Sequence, residues 1–513
     1  MDLRHLVTAL KQKEVKGEAN PRITGITQDS RKVQPGFLFV CICGFQLDGH
    51  NYLEEAVRRG AVAVVIEKDL LERSRSAFGS SLVWIRVQNS REALALLSSA
   101  FYQHPSSRMR VIGITGTNGK TTTTYLVASI LETAGFGTGL LNTLTCRIRG
   151  EEMPAVRTTP ESVDLQRSLA HMVDKGCQYA VIEVSSHALI LNRVLGCEFD
   201  VGVLTNITSD HLDFHENLAE YRRAKQLLFT GLGDGPKSPK AAVLNLDDPS
   251  FQVIEKSTAV PVYSYGVEGM GRIRAERIET GRHGLSFEVS SPAGRMKIRS
   301  PLSGLHNVYN ILAAIGVGVA EGIDTDTIEK GIEAVSGIPG RFETISCGQD
   351  FWVVVDFAHT PDALQRLLEA GRQLKPLRLI TVFGCGGDRD KSKRSPMGRI
   401  AAGFSDHLII TNDNPRSEDP LAIARQIEEG VRSVSQGEGE GRLAAGRISS
   451  AGYEIILDRY QAIEKALIQA KAGDMVVIAG KGHEQYQVIG SECKPFDDRQ
   501  VVRQILSNLK VTC

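Results

Sequence analysis

The sequence predicts an α/β protein of three domains, with a mostly parallel sheet and a phosphate-binding loop in the central one. A chain of 513 residues is long enough for about three domains. Short apolar runs alternate with helical patterns along most of it, which is typical of parallel sheets covered by helices on both faces. We place a smaller N-terminal α/β domain at 1–105, the central domain at 106–338 and a Rossmann-like C-terminal α/β domain at 339–513. Polar segments that contain proline mark both boundaries, at 104–108 and 336–341.

The composition is that of an ordinary globular protein and argues against several classes of partner. Sixty basic residues match sixty acidic ones, so the net charge gives no reason to expect binding to nucleic acid or to an anionic membrane. No apolar run approaches the ~20 residues of a membrane span, and the N-terminus does not resemble a secretion signal. Nine cysteines without a Cys-x-x-Cys pair indicate reduced, mostly buried thiols and no zinc site. We expect a cytoplasmic protein and a monomer.

The N-terminal domain has predicted strands and a helix but no catalytic constellation. Apolar runs predict three strands, and an amphipathic pattern predicts a helix before the last of them. These elements are expected at 23–27, 37–41, 52–60 and 61–66. Ser30 and His50 could bind a ligand, but taken alone they are better explained as a turn serine and a loop histidine.

A glycine-rich turn between a strand and a helix organises the central domain. The apolar run 111–114 predicts a buried strand, the turn spans Gly116–Thr121, and a helical pattern follows. Glycines let backbone N–H groups close on a phosphate, and the helix N-terminus adds partial positive charge. Lys120 can reach the β- and γ-phosphates of a nucleoside triphosphate, and the Thr121 hydroxyl can bind Mg²⁺. Ile114 stands where the standard pattern has glycine, so the motif is a shorter variant.

Polar residues follow the next strands of the central domain. These strands are predicted at 179–183, 201–205 and 241–245. Ligands bind at the carboxyl ends of strands in parallel sheets. Glu183 ends the first strand and His211 follows the second, so both are candidate neighbours of a metal ion or a phosphate. An alternating pattern over 268–300 predicts an antiparallel hairpin at an edge of the sheet.

The C-terminal domain has four predicted strands, each followed by polar or glycine residues. The strands are expected at 351–355, 379–383, 407–411 and 474–479. Side chains suited to carboxylates and amines follow three of them, at Arg389, Asn414, Arg416 and Glu484. An arginine fork pairs with a carboxylate and a glutamate pairs with an ammonium group. This set fits an amino acid, so we expect the C-terminal domain to hold a second substrate.

Six short motifs follow one another through the chain. They are Gly116-Thr-Asn-Gly-Lys-Thr121, Glu183-Val-Ser-Ser-His187, Asn206-Ile-Thr-Ser-Asp-His211-Leu-Asp213, Leu305-His-Asn-Val-Tyr-Asn310, Gly340-Arg-Phe-Glu343 and Asp356-Phe-Ala-His-Thr-Pro361. Together they resemble the ATP-dependent Mur ligases of peptidoglycan synthesis, which are related to folylpolyglutamate synthetase. Within that family the chain is most similar to the ligase that adds the third residue of the stem peptide to UDP-N-acetylmuramoyl-L-alanyl-D-glutamate.

The resemblance implies a site for ATP and Mg²⁺. The implied nucleotide contacts are Gly116, Thr117, Asn118, Gly119, Lys120, Thr121, Thr122, Asn310, Arg341 and Asp356. The implied metal ligands are Thr121, Glu183, His211 and Lys225, and Lys120, Glu183, His211 and Lys225 are the implied catalytic residues. Lys225 would be carbamylated in such a ligase, which turns a cation that repels Mg²⁺ into an anion that binds it.

The resemblance also implies two further substrates. Residues that resemble contacts to the UDP-sugar-dipeptide are Ser30, Thr158, Thr159, Ser185 and Arg193, and those that resemble contacts to meso-diaminopimelate are Arg389, Asp413, Asn414, Arg416, Gly480 and Glu484. Arg416 would pair with the extra carboxylate of diaminopimelate. L-Lysine is the alternative amino acid, and it would leave the charge of Arg416 unmatched in a closed pocket.

The implied reaction passes through an acyl phosphate on the D-glutamate γ-carboxylate, which the amine of the amino acid then attacks. Positioning and charge neutralisation supply most of the catalysis, with closure of the last domain on the other two. A folate-type polyglutamylating ligase would share the phosphate loop and Lys225 but would not explain 413–416. A non-enzymatic nucleotide switch would need the phosphate loop alone.

Overall fold

Three large sheets organise the computed structural model, which describes residues 1–44, 47–68, 82–208, 214–281, 284–435 and 452–510. Their strands cover 14–86, 110–300 and 343–479. The predicted α/β fold is confirmed. The boundaries expected near 105 and 338 fall between successive sheets, and as domain limits they stay predictions. In the described part of the chain, no helix is long and apolar enough to cross a membrane.

The N-terminal unit is a small, mostly parallel sheet with strand order β1-β5-β4-β3-β2, and β1 is its antiparallel edge. Its strands are β1 (Glu14–Lys16), β2 (Gly25–Thr27), β3 (Phe37–Val40), β4 (Ala61–Ile66) and β5 (Val83–Arg86). Its helices are α1 (Leu3–Leu6), α2 (Leu53–Arg58) and α3 (Ser90–Phe101), with short 3₁₀ helices at Val7–Ala9, Ser30–Lys32, Gly49–Tyr52 and Pro105–Arg108. The three strands and the helix expected here are present within two residues.

The central unit is built on the largest sheet, whose seven middle strands are parallel. Its strands are β6 (Arg110–Thr115), β7 (Thr138–Leu141), β8 (Thr145–Ile148), β9 (Glu151–Pro154), β10 (Tyr179–Glu183), β11 (Val201–Leu204), β12 (Ala241–Asn245), β13 (Val262–Gly266), β14 (Ile273–Gly281), β15 (Gly284–Ser291) and β16 (Gly294–Ser300). Its helices are α4 (Lys120–Thr133), α5 (Ser162–Asp174), α6 (Ser186–Ile190), α7 (Leu218–Thr230), α8 (Phe251–Glu255), α9 (Leu305–Ala320) and α10 (Thr325–Glu333), with a 3₁₀ helix at Gly231–Gly233.

The order of that sheet places the phosphate-loop strand β6 between β10 and β11. All three strands are apolar and buried, as a strand covered on both faces requires. Their parallel carboxyl ends therefore meet at one edge, which brings the phosphate loop beside Glu183 and Thr205. The antiparallel hairpin expected over 268–300 is confirmed as β14–β16, whereas the second hairpin, β7–β9 at the other edge, was not predicted.

The C-terminal unit has a six-stranded sheet in the order β17-β18-β22-β19-β20-β21, parallel except for β17. The strands of this unit are β17 (Glu343–Thr344), β18 (Trp352–Asp356), β19 (Leu379–Phe383), β20 (His407–Ile410), β21 (Tyr453–Ile455) and β22 (Met475–Ala479), followed by the hairpin β23 (Tyr486–Ile489) and β24 (Glu492–Pro495). Its helices are α11 (Pro361–Gln373), α12 (Arg394–Phe404), α13 (Pro420–Ser435), α14 (Arg459–Gln469) and α15 (Asp498–Lys510). The four strands expected from the sequence are confirmed within one residue.

Candidate active site

The phosphate loop needs glycine at two of its positions. Gly116 has φ 149° and Gly119 has φ 83°, values in the region that favours glycine. A Cβ on Gly116 would lie 1.8 Å from Thr205 Oγ1, and one on Gly119 would lie 2.1 Å from Asn310 Oδ1. The loop is therefore packed tightly against its neighbours, and any side chain at either position would displace them.

The segment that follows β11 holds the loop in shape. The Thr117 N–H donates to the Asn206 carbonyl at 2.7 Å, and the Asn118 N–H donates to Asn206 Oδ1 at 3.0 Å. The Thr205 hydroxyl donates to the Asn118 carbonyl at 2.7 Å. These bonds fix the backbone that is expected to enclose a phosphate, so the site is largely preformed.

The side-chain oxygens of Thr121 and Glu183 meet where α4 begins. The Thr121 hydroxyl donates to Glu183 Oε2 at 2.9 Å, and Lys120 Nζ lies 3.9 Å from Glu183 Oε1 while donating to the Thr117 carbonyl at 2.7 Å. Glu183 is almost fully buried. Hydroxyl and carboxylate oxygens are the donors that Mg²⁺ prefers, so this pair fits the expected metal. His211 lies outside the described residues.

Lys225 is buried beneath the phosphate loop. It lies in α7, is 1% exposed, and its Nζ donates to the Gly116 carbonyl at 2.6 Å. The same Nζ lies 4.3 Å from the centre of the Tyr221 ring. Its sequence position had suggested a place near the phosphates only through the family resemblance, and the structure brings its amine to the loop itself.

A cavity of about 580 Å³ opens between the central and C-terminal sheets. Of the residues expected to contact nucleotide, those that line it are Thr117, Asn118, Gly119, Lys120, Thr121, Thr122, Asn310, Arg341 and Asp356. Gly116 is not among the lining residues, whereas Glu183 is one of them. One pocket thus contains the phosphate loop and residues from the next unit of the chain.

The C-terminal wall of the cavity carries a cation and a carboxylate. The Arg341 guanidinium lies 4.8 Å from the Phe357 ring centre and 3.5 Å from Thr121 Oγ1. Asp356 accepts hydrogen bonds from the Phe342 and Ala358 N–H groups at 2.6 and 2.7 Å. Burial raises the pKa of Asp356, and the nearby Arg341 charge opposes that rise. The wall is therefore suited to the anionic and hydroxyl groups of a nucleotide.

Four of the five residues expected to contact the UDP-sugar-dipeptide form one group beside the cavity. Thr159 donates to the Glu183 carbonyl at 2.8 Å and accepts from the Ser185 N–H at 3.0 Å. Arg193 donates to the Thr159 carbonyl at 3.4 Å and pairs with Glu161 at 2.9 Å; its burial lowers its pKa. Thr158 and Ser185 line the cavity. The group therefore connects the backbone of Glu183 with Thr158 and Ser185 in the cavity lining.

Ser30 is not part of that group. It is buried in the N-terminal unit, where its hydroxyl donates to Glu55 Oε2 at 2.7 Å. His50 donates from Nδ1 to Asp48 at 2.6 Å, while its Nε2 accepts from the Glu67 N–H at 3.2 Å. Asp48, His50 and Cys43 lie close enough to share a cation, but a protonated Nδ1 and the Lys68 ammonium on Asp48 already account for the polar atoms there.

The residues expected to hold the amino acid meet at the carboxyl edge of the C-terminal sheet. Asn414 Nδ2 donates to Glu484 Oε2 at 2.9 Å. The fully buried Lys481 donates to the same oxygen at 2.8 Å and to Asn414 Oδ1 at 3.2 Å. Asp413 lies against Gly480, whose φ is 113° and where a Cβ would come 2.7 Å from Asp413 Oδ2.

Arg416 and Arg389 flank the glycine turn after β19. A Cβ on Gly386 would lie 3.0 Å from Arg416 Nη1 and 3.9 Å from Arg389 Cγ. Arg416 has φ 52° and is held by backbone bonds to Val488 and Gly490 at 3.1 and 2.7 Å. A non-glycine residue with a positive φ has a strained backbone, and such residues are found more often at functional sites. Arg416 Nη1 donates to the Gly387 and Asn414 carbonyls at 2.7 and 3.5 Å, so its guanidinium lies beside Asn414 and the glycine turn.

Sequence reasoning missed several residues that shape these sites. Lys481 donates to Glu484 and Asn414, Asp362 reaches the phosphate loop, and the buried Arg394 pairs with Glu418 and donates to the Gly386 carbonyl in the turn after β19. Lys481 lies inside the turn 480–484, and Asp362 directly follows the motif that ends at Pro361. Their position beside recognised motifs was the available signal, but nothing in the sequence indicates which side chains they contact.

Three family profiles match successive parts of the chain. The Mur ligase family catalytic domain matches 22–102, the Mur ligase middle domain matches 114–318, and the Mur ligase glutamate ligase domain matches 340–482. Two curated relatives are named UDP-N-acetylmuramoyl-L-alanyl-D-glutamate–2,6-diaminopimelate ligase. The one from Bacillus licheniformis is 44% identical and spans 99% of this chain and 100% of its own; that from Geobacillus thermodenitrificans is 45% identical and spans 98% and 99%.

Solved structures share the whole architecture. The structure of a UDP-N-acetylmuramoyl-L-alanyl-D-glutamate–2,6-diaminopimelate ligase has a TM-score of 0.66 at 31% identity and covers 95% of both chains. A MurF ligase of Thermotoga maritima in complex with ADP has a TM-score of 0.63 at 20% identity and covers 96% of this chain and 99% of its own. The second likeness is one of fold alone.

Proposed function

We propose that the chain, which belongs to the Mur ligase family, joins meso-2,6-diaminopimelate to the D-glutamate γ-carboxylate of UDP-N-acetylmuramoyl-L-alanyl-D-glutamate at the expense of ATP. One observation carries this proposal. The phosphate loop lines a cavity that also contains residues of the C-terminal unit, and at the carboxyl edge of that unit's sheet Asn414 is hydrogen-bonded to both Glu484 and Arg416. Relatives over 40% identical along their full length carry the name of that ligase.

The reaction proceeds in two steps. An oxygen of the γ-carboxylate attacks the γ-phosphorus of ATP, the bond to the ADP oxygen breaks, and an acyl phosphate forms. The amine of diaminopimelate then attacks the acyl carbon, loses a proton, and phosphate departs with its bonding electron pair. Lys120 and Arg341 carry the positive charge that offsets the phosphates, so the protein contributes positioning and electrostatic stabilisation.

Mg²⁺ would be held by Thr121 and Glu183, with His211 and carbamylated Lys225 as the further ligands expected from the family. When bound, it neutralises charge on the transferring phosphoryl group. Lys225 lies close enough to the loop for such a role, and a carbamate there would replace a buried cation by an anion. ¹³C NMR after exchange with ¹³C-bicarbonate, with Lys225→Ala as control, tests the modification.

The charges of the C-terminal pocket favour diaminopimelate over L-lysine. We assign the distal carboxylate to Arg416, the distal ammonium to Glu484 with Gly480, and the other carboxylate to Arg389. Asp413 and Asn414 complete the pocket. Lysine offers no carboxylate at its far end, so it would leave Arg416 unmatched.

The dipeptide end of the UDP substrate is assigned to Thr158, Thr159, Ser185 and Arg193; Thr158 and Ser185 line the cavity, and Thr159 is hydrogen-bonded to the Glu183 carbonyl. Ser30 and the N-terminal unit would hold the uridine end. We propose that the chain works in the cytoplasm, where ATP and reduced thiols coexist, and as a monomer, since every assigned residue belongs to one chain.

Phosphate release tests the function. We expect release from ATP only when Mg²⁺, the UDP-dipeptide and diaminopimelate are all present, together with a product whose mass equals the two joined substrates minus water. Phosphate release at the same rate without the UDP-dipeptide would contradict the proposed ligase activity. A chain that accepts a folate in place of the UDP substrate would belong with the polyglutamylating ligases instead.

A further inference from the structure

One carboxylate of the C-terminal unit reaches across to the phosphate loop of the central unit. Asp362 lies in the first turn of α11, and its Oδ2 accepts a hydrogen bond of 2.6 Å from Asn118 Nδ2. The Thr208 hydroxyl donates to the same oxygen at 3.3 Å. Asn118 belongs to the phosphate loop and Thr208 to the segment after β11. A single oxygen therefore joins two segments of the neighbouring unit.

Those two segments are themselves bonded to each other. The Thr208 N–H donates to Thr117 Oγ1 at 3.0 Å, and the Thr117 hydroxyl donates to the Thr208 carbonyl at 3.1 Å. Asp362 therefore contacts the place where the phosphate loop is fastened to the rest of the central unit. A change in the loop moves the donors that face Asp362.

Arg366 balances the charge of this carboxylate. Its Nε lies 3.1 Å from both Asp362 oxygens, one turn along α11. Arg366 also lines the nucleotide cavity. An unbalanced carboxylate next to a triphosphate site would repel the nucleotide, so the pair permits contact with the loop without that penalty.

The helix that carries Asp362 is firmly part of the C-terminal unit. Thr360 caps it by accepting from the Ala363 N–H at 3.3 Å, and Leu364, Leu367 and Leu368 are buried in the core of that unit. Because a packed core moves as a body, a shift at Asp362 moves the sheet and the strand ends that carry Arg416 and Glu484.

We infer that Asp362 is a positioning residue that couples the nucleotide site to the amino-acid pocket, an inference that rests on the proposed function. Nucleotide in the phosphate loop favours the arrangement in which Asn118 and Thr208 contact Asp362. That arrangement sets the distance between the amino-acid pocket and the nucleotide. By linkage, nucleotide then tightens the binding of diaminopimelate, and diaminopimelate tightens nucleotide by the same factor.

Calorimetric titration of the full chain tests this coupling. Diaminopimelate is titrated with the UDP-dipeptide present, once with a non-hydrolysable ATP analogue and Mg²⁺ and once without the analogue. In the unmodified chain we expect tighter binding with the analogue. Asp362→Ala should reduce that ratio of affinities roughly tenfold, the loss of one charge-assisted hydrogen bond, while Asp362→Asn, which keeps the shape, should restore part of it.

Asp164→Ala is the matched control, because Asp164 also lies in the first turn of a helix and pairs with an arginine on that helix, Arg167. It should leave the ratio unchanged. If Asp362→Ala does not fold, as judged by circular dichroism, Thr208→Val removes one donor and should lower the ratio less. A folded Asp362→Ala with an unchanged ratio, or an unmodified chain without coupling, would overturn the inference. Phosphate release at the same rate without diaminopimelate would contradict the proposed function and not the coupling alone.

Discussion

The nucleotide site and the proposed amino-acid pocket are built in opposite ways. The phosphate loop is one continuous stretch whose shape depends on glycine backbone and on hydrogen bonds from main chain to main chain or to an amide. The proposed amino-acid pocket gathers side chains from three separate strand ends, and an ion pair with Lys481 and an amide of Asn414 hold Glu484 in place. In the phosphate loop a substitution disturbs the backbone itself. In the proposed amino-acid pocket a substitution removes one side chain and leaves the others in place.

The largest expected effect falls on the phosphate loop. Lys120→Ala should lower kcat for phosphate release by about 10³-fold, because a preorganised cation at the developing phosphoryl charge is lost. The measurement is steady-state phosphate release at saturating substrates. Lys256→Ala, an exposed lysine of the same unit, is the control and should be silent; turnover retained by Lys120→Ala would remove the lysine from the mechanism.

A methyl group on the loop should come next. Gly119→Ala introduces a Cβ 2.1 Å from Asn310 Oδ1 at φ 83°, so we expect kcat/KM for ATP to fall by about 10²-fold as the loop is displaced. Gly322→Ala is matched in conformation, with φ 73° and no atom within 4 Å. It should cost about 1 kcal/mol of stability and no activity. Equal activity losses in both variants would show that the effect of Gly119→Ala comes from backbone strain and not from the contact with Asn310.

A change in the amino-acid pocket should be smaller and selective. Arg416→Ala should raise KM for diaminopimelate about 30-fold, since roughly 2 kcal/mol of charge pairing is lost, and should leave KM for ATP unchanged. Arg416→Lys should recover part of the loss because it keeps the charge but not the fork. Arg425→Ala, an exposed arginine on α13, is the control. A parallel rise in both KM values would contradict the division between the two sites.

The smallest effect concerns pH. Burial in the cavity wall lowers the pKa of His306 from 6.5 to about 4, so the unfolded chain binds a proton that the folded chain does not between these values. The stability that His306 contributes is complete above pH 6.5 and is lost as the pH falls through about 4. We expect His306→Phe to reduce the loss of unfolding free energy over this range by roughly 1–2 kcal/mol. Denaturant titrations at several pH values measure the unfolding free energy, with the exposed His5→Phe as control. If its dependence on pH is the same in His306→Phe as in the unmodified chain, the pKa of His306 is not lowered by folding.

The same contrast explains how far the sequence could be interpreted. The structure of the segment 111–124 could be predicted from its own residues, because the strand, the glycine turn and the helix follow one another directly in the sequence. The position of Glu183 beside the phosphate loop could be predicted because buried parallel strands bring their carboxyl ends together. The contacts of Asp362 with Asn118 and of Lys481 with Asn414 were missed because each joins residues more than sixty positions apart in the chain. The β7–β9 hairpin was missed because β9 is polar and exposed along its whole length, which leaves no alternation to detect.

The most direct test of the central claim compares two amino acids under identical conditions. Phosphate release and product mass are measured with ATP, Mg²⁺ and UDP-N-acetylmuramoyl-L-alanyl-D-glutamate, first with meso-diaminopimelate and then with L-lysine. We expect release and a ligated product with diaminopimelate and at most trace product with lysine, since only diaminopimelate supplies the carboxylate for Arg416. Efficient ligation of lysine would contradict the assigned pocket, and no release with either would contradict the ligase itself.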